Sequence, residues 1–203
     1  MSRFASRQRR RPPTAFTLIE ALVSISIAAI GGSVLLLGIT TSLRATDETR
    51  DQTIAYGMAQ QLMDEVLGER YHAPTVDGYQ TVLGPSSYEQ SGLGRERYDD
   101  IDDFRVVKTQ PPEDRWGVEL GKEDIDGNPR HPNFMAPSGL FAYWQQEVDV
   151  YHVDQSDLTT HLASGAVSDY RVVEVRIVSN HPDRGRRELA RLQRVIAYVP
   201  ALP

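Results

Sequence analysis

The chain has 203 residues, 40% of them hydrophobic, which is enough for one domain with appendages. It contains no cysteine, which excludes disulfides, thiol catalysis and cysteine-ligated zinc. The formal net charge is −6, or −11 without the five arginines of the first 15 residues, and so acidic a remainder argues against nucleic-acid binding.

The N-terminal region combines a basic segment with a long apolar run. Residues 1–15 carry five arginines and no acid, and residues 21–43 carry no charge at all. As a helix, that run is about 34 Å long, which exceeds the roughly 30 Å of a bilayer's hydrocarbon core. Because positive charge beside a span stays cytoplasmic, the C-terminal bulk is expected on the other side of the membrane. The run is too long for an ordinary cleavable secretory signal.

A single acid, Glu20, stands at the start of this run, where an isolated carboxylate costs a few kcal/mol. A plain signal anchor leaves this acid unexplained. The stretch AFTLIEALVSISIAAI (residues 15–30) resembles the class III signal of type IV pilins and type II secretion pseudopilins. The resemblance implies cleavage between Ala15 and Phe16 by a prepilin peptidase and N-methylation of Phe16. It also implies that Glu20 complements the new N-terminal charge, on its own subunit or a neighbour. The family usually has glycine before the cut, so Ala15 predicts slower processing.

The helical pattern continues beyond the apolar run. Apolar residues recur every four positions and form one stripe, while polar residues fill the other face of the helix. The stripe consists of Ile54, Met58, Leu62 and Val66, flanked by Ala55, Ala59, Met63 and Leu67. Gly68 and Pro74 are predicted to end the helix. The pattern predicts a transmembrane and assembly helix over residues 16–43 and an amphipathic helix over residues 44–71.

The remainder, residues 72–203, is predicted to form a globular head. Residues 70–139 are rich in glycine and proline, with one strand predicted at residues 104–109. Three further strands are predicted at residues 141–153, 170–179 and 191–199, with a turn at residues 180–186. Short connections favour an antiparallel meander, and hence an α+β fold in which the long helix packs on the sheet. This is also the pilin shape.

The stretch RYDDIDDF (residues 97–104) concentrates four acids, Asp99, Asp100, Asp102 and Asp103. Such neighbours repel one another unless they are solvated or bound to a cation. Calcium prefers six to eight oxygens, so these residues are candidate ligands, but the sequence favours a solvated loop over a calcium site. The stretch and LMDEVLGERY (residues 62–71) resemble segments of minor pilins such as the D component of the mannose-sensitive haemagglutinin pilus. Residues 124–128 form a second oxygen-rich turn, which lacks the EF-hand spacing.

No catalytic motif is present, because the five histidines are scattered and no G-x-S-x-G elbow occurs, so an enzyme is not expected. The sequence therefore favours a minor pilin-like subunit of a type IV pilus or related filament. The alternatives are a minor pseudopilin of a type II secretion system and, from another class, a single-pass anchored periplasmic binding or sensor protein. The implied partners are other pilin or pseudopilin subunits, the prepilin peptidase/N-methyltransferase, the inner-membrane assembly platform and the lipid bilayer.

Overall fold

A computed structural model describes residues 17–200 of the chain, so Ala15 and Phe16 lie outside the described residues. Its chain divides into two compact units, one ending at Glu48 and one from Thr49 to Pro203. A single helix, α1 (Leu18–Leu67), contributes residues to both units. Among residues 17–200, α1 is the one helix long and apolar enough to cross a membrane. The large apolar side chains of its first half are exposed, as expected of a segment that meets lipid or other helices.

The second unit contains a four-stranded antiparallel sheet in the order β1-β2-β3-β4. The strands are β1 (Lys108–Thr109), β2 (Trp144–His152), β3 (Tyr170–His181) and β4 (Gly185–Ala197). Consecutive strands are neighbours, which confirms the predicted meander. A short helix, α2 (Ser87–Gln90), and two 3-10 turns, Asp103–Val106 and Pro132–Phe134, lie in the long connections.

The core forms between the second half of α1 and one face of the sheet. The helix contributes the predicted stripe, of which Ala55, Met58, Ala59, Leu62, Met63 and Val66 are buried. Alternate residues of β3 face it, namely Val173, Val175 and Ile177, each 0% exposed. The apolar face of β3, formed by every second residue, thus packs against the apolar stripe of α1, as an α+β fold requires. Leu67, the last residue of the helix, is exposed.

The strand predicted at residues 104–109 is mostly wrong. Only Lys108 and Thr109 pair with β2, and the preceding residues form the 3-10 turn Asp103–Val106. Phe104 and Val107, three residues apart, are both buried in the core, which suits a 3-10 turn and not an extended strand.

The start of β4 was also misplaced. The strand begins at Gly185, six residues before the predicted start, because the turn from β3 is confined to His181–Gly185. Gly185 has a φ of +71°, a conformation that glycine adopts without strain and that allows this tight reversal.

Candidate processing and assembly site

Glu20 lies in the first turn of α1 and is bound to Thr17, the residue before the helix. Glu20 Oε2 accepts hydrogen bonds from the Thr17 backbone N–H at 2.9 Å and from the Thr17 hydroxyl at 2.8 Å. The Thr17 hydroxyl oxygen in turn accepts from the Glu20 N–H at 3.3 Å. This reciprocal arrangement is a capping box, which satisfies two backbone donors at the helix start. The sequence analysis missed Thr17, although the pattern Thr-x-x-Glu that predicts such a cap is present.

The capping box uses only one of the two carboxylate oxygens. Glu20 Oε1 accepts no hydrogen bond from any residue between 17 and 200. The neighbouring side chains are apolar and exposed, with Leu18 84% and Ile19 70% accessible. Oε1 is therefore open to a further donor, and the apolar surroundings would make a cationic donor especially favourable. Phe16, whose amine is the predicted donor, lies outside the described residues.

The four predicted metal ligands of the acidic loop are not aimed at one point. Asp100 Oδ1 accepts from the backbone N–H groups of Asp102 and Asp103, at 2.9 and 3.3 Å. Asp103 Oδ2 accepts from the N–H groups of Asp99 and Asp100, at 3.0 and 3.4 Å. The two carboxyl groups thus bind the backbone of residues 99–103 reciprocally, just ahead of the 3-10 turn. They are engaged in holding the backbone of this loop.

Asp102 is buried and forms an ion pair with Arg171 of β3. Arg171 is 0% exposed, and its Nη1 lies 2.9 Å from Asp102 Oδ1. The same guanidinium donates to the backbone carbonyls of Tyr71 at 2.7 Å and Gly78 at 3.2 Å, and it lies 4.4 Å from the centre of the Tyr71 ring. Asp102 Oδ2 accepts from the Gly84 N–H at 3.0 Å. Arg171 therefore supplies the positive charge for the most buried acid of the loop.

Three carboxylates do approach one another at the edge of this loop. Ligand atoms of Glu89, Asp99 and Asp103 lie within 4.8 Å of one another. Glu89 belongs to α2 and was not predicted as a ligand. This set includes two of the four predicted residues, Asp99 and Asp103. Of the other two, Asp100 accepts backbone hydrogen bonds and Asp102 forms the ion pair with Arg171. Calcium binding at this loop stays a prediction. In the second oxygen-rich turn, Asp124 accepts two backbone N–H groups of its own turn.

Burial changes the protonation of Asp100 and Asp103. It raises the pKa of Asp103 to about 7, and the negative charge of Asp100 adds to the effect. Burial likewise raises the pKa of Asp100 to about 7, with a contribution from the charge of Asp102. Both shifts follow from removing a carboxylate from water near a like charge. Near pH 7 both carboxyl groups are therefore only partly ionised.

Comparison with known proteins concerns the N-terminal region alone. A family model described as the prokaryotic N-terminal methylation motif matches residues 10–36. The chain carries the signal of a type IV pilin-like or pseudopilin precursor. The match spans Ala15, Phe16, Glu20 and the first turns of α1. Comparisons of the chain with curated proteins and with solved structures give no match.

Proposed function

We propose that the protein is a minor pilin-like structural subunit. In this proposal it inserts in the inner membrane through residues 16–43, with its head in the periplasm. A prepilin peptidase cuts between Ala15 and Phe16 and methylates Phe16, and the processed subunit joins a type IV pilus or a related filament. The observation that carries the proposal is the methylation motif at residues 10–36, which leads into the 50-residue α1. That helix continues without a break from the apolar segment into the core of the second unit.

Glu20 is the residue to which the proposal gives the central assembly role. The open oxygen Oε1 would receive the ammonium of a processed Phe16, on the same subunit or on its neighbour. A charged group held away from water is tolerable when an opposite charge and hydrogen bonds satisfy it. Thr17 supplies the hydrogen bonds on Oε2, and the N-terminus would supply the charge.

The assignment to a pilus over a type II secretion system rests on the acidic loop. Residues 97–104 resemble a segment of minor pilins such as the D component of the mannose-sensitive haemagglutinin pilus. Deleting the gene distinguishes a pilus subunit from a secretion pseudopilin. Loss or shortening of surface filaments supports a pilus subunit, and loss of protein secretion with intact filaments supports a pseudopilin.

The processing step is tested by mass spectrometry of the N-terminus of protein extracted from membranes. In a strain with an active prepilin peptidase, we expect N-methylated Phe16, and in a strain without the peptidase an intact leader. Ala15→Gly should be cut at the same bond at least as fast, whereas Ala15→Leu should block the cut. An intact leader on the wild-type protein beside a correctly cut Ala15→Gly variant would mean that Ala15 prevents processing. Intact leaders on both would favour an anchored periplasmic sensor.

A further inference from the structure

The outer edge of β4 is a long strand edge without a neighbour. β4 has 13 residues and pairs with β3 along one side. No residue between 17 and 200 pairs with its other side, and β4 contains no proline. The opposite end of the sheet is β1, which has two residues. Proteins usually shorten, bend or cover an edge of this kind, because its free N–H and C=O groups invite another strand.

The backbone donors along this edge can be assigned. The Tyr198 N–H donates to the Asp169 carbonyl on the β3 side of the sheet at 2.7 Å. In an antiparallel ladder the donors alternate between the two sides of a strand. The N–H groups of Gln193, Val195 and Ala197 therefore point away from β3, toward the open edge. The register is regular from Ala190 to Ala197, since the irregularity of the β3–β4 pair lies at Ile177/Val178.

The charge of this edge is opposite to that of the rest of the protein. Residues 184–194 contain five arginines and one glutamate, in a chain whose formal net charge is −6. Arg191 is held by Glu174 and Glu188, at 3.6 and 2.8 Å. Arg194 is exposed and makes no ion pair with any residue in the described part of the chain; its guanidinium donates to the carbonyl of Gln193. Arg194 thus leaves a positive charge beside the outward N–H of Val195.

We propose that the open edge of β4 binds an extended, acid-bearing segment of a partner protein as a fifth strand of the sheet. Main-chain hydrogen bonds to the outward groups of Gln193, Val195 and Ala197 would supply the pairing, as in other cases of strand addition. Arg194 is the pairing partner of Val173, which faces α1, so the Arg194 side chain lies on the same face of the sheet. Arg194 would therefore select a glutamate or aspartate on the helix-facing side of the added strand. The proposal does not depend on leader cleavage.

The charges disfavour a second copy of this chain as the occupant. Pairing β4 with β4 would bring two arginine-rich strands together, and like charges across a strand pair are destabilising. The edge at β1 is two residues long and supplies too little backbone for the pairing. The arginines would therefore attract an acidic strand and repel a second copy of β4, so the same charges favour one partner and exclude the other.

The test uses the full chain in a non-ionic detergent and three synthetic peptides of equal length. The first alternates glutamate with valine, the second has lysine in place of glutamate, and the third is the glutamate peptide with its amides N-methylated. We expect the glutamate peptide to bind at least about tenfold more tightly than the other two, measured by fluorescence anisotropy. Hydrogen exchange should show new protection at residues 191–197. Equal binding of the N-methylated peptide, protection elsewhere, or no binding below roughly 1 mM would overturn the proposal.

Two pairs of variants separate backbone pairing from charge. Val195→Pro removes one outward N–H and keeps the β3 ladder, and Val195→Thr keeps that N–H as the matched control. Arg194→Glu reverses the selecting charge, and Arg194→Lys retains it. We expect the proline and glutamate variants to lose about tenfold or more in affinity for the glutamate peptide, with the controls close to wild type. If Val195→Pro fails to fold, the Arg194 pair decides, and unchanged affinity of Arg194→Glu would refute the proposal.

Discussion

At the scale of single residues, Glu20 is held in place before any neighbouring subunit arrives. The Thr17 backbone and hydroxyl fix one carboxylate oxygen and leave the other open. An acceptor that is already oriented loses less freedom when its partner binds than a mobile side chain would. In the proposed function, the capping box would hold Glu20 in an orientation suited to a cationic partner.

Replacing Glu20 should separate its hydrogen bonding at the helix cap from its negative charge. Glu20→Gln retains an oxygen that can accept from the Thr17 N–H but removes the charge, whereas Glu20→Ala removes both. Neither change should lower the amount of protein in the membrane, since a neutral residue partitions into lipid more easily. We expect both variants to enter filaments poorly, measured as the ratio of sheared-filament to membrane-bound protein. A wild-type ratio for Glu20→Gln would show that hydrogen bonding at the cap, and not the charge, is what assembly requires.

The buried acid Asp103 should make stability depend on pH. Its pKa is raised by burial from its ordinary value of 3.8 to about 7 in the folded protein. Between these values the folded state binds a proton that the unfolded state has released, so the free energy of unfolding falls as pH rises from about 4 to about 7. His152, whose pKa is lowered by burial and by Arg171, acts in the opposite direction near neutrality.

The contribution of Asp103 is isolated by comparing wild type with Asp103→Asn. The asparagine oxygen can still accept from the loop backbone but does not ionise. We expect the stability of the variant relative to wild type to increase as pH rises from about 4 to about 7 and to level off above that, measured by urea unfolding at a series of pH values. A difference that stays constant from pH 4 to pH 8 would contradict the assigned burial effect.

Part of the residue-level picture is readable in the sequence. The signal motif singled out Glu20, and the capping pattern would have added Thr17. Arg171 falls on the same face as Val173 and Val175 by simple alternation, so a buried charge at that position was foreseeable. Its partner was not, because Asp102 lies 69 positions earlier in the chain and no local pattern joins them. Glu89 was missed for the same reason.

At the scale of elements, the helix stripe and the strand alternation were the strongest signals, and both were confirmed. Each arises from a single repeating face, so sequence spacing alone reveals it. The failure at residues 104–109 has a different origin. Apolar residues there resemble a strand, but the hydrogen bonds from backbone N–H groups of residues 99–103 to the Asp100 and Asp103 carboxyl groups favour a tight turn over an extended chain.

The packing of α1 on the sheet is tested at Leu62, which is 1% exposed. Leu62→Asp places an unpaired charge in the core and should cost about 4 kcal/mol or more in stability. Gln61→Asp adds the same side chain at an exposed position of the same helix and should change stability by less than about 0.5 kcal/mol. Thermal unfolding of the soluble fragment 45–203 measures both. Similar melting temperatures for the two variants would mean that α1 does not pack on the sheet as described.

At the scale of the whole molecule, every residue of the hydrophobic core lies within the second unit. We therefore expect the fragment 45–203 to be soluble and to unfold in one cooperative transition, followed by circular dichroism. The fragment 72–203, which lacks the helix stripe, should aggregate or lack a transition because it exposes the apolar face of the sheet. Cooperative folding of the shorter fragment would show that the sheet is stable without α1.

The contacts of Arg171 have a consequence for how the head fluctuates. One side chain joins β3 to the carbonyls of Tyr71 and Gly78 and to Asp102, in segments that have little regular structure of their own. None of these segments can swing away alone without leaving a guanidinium or a carboxylate stranded in the interior. We therefore expect the segments around Tyr71, Gly78 and Asp102 to open together with β3 and not alone. Although this part of the chain is rich in glycine and proline, limited proteolysis should cleave it at these three points no faster than it cleaves β3.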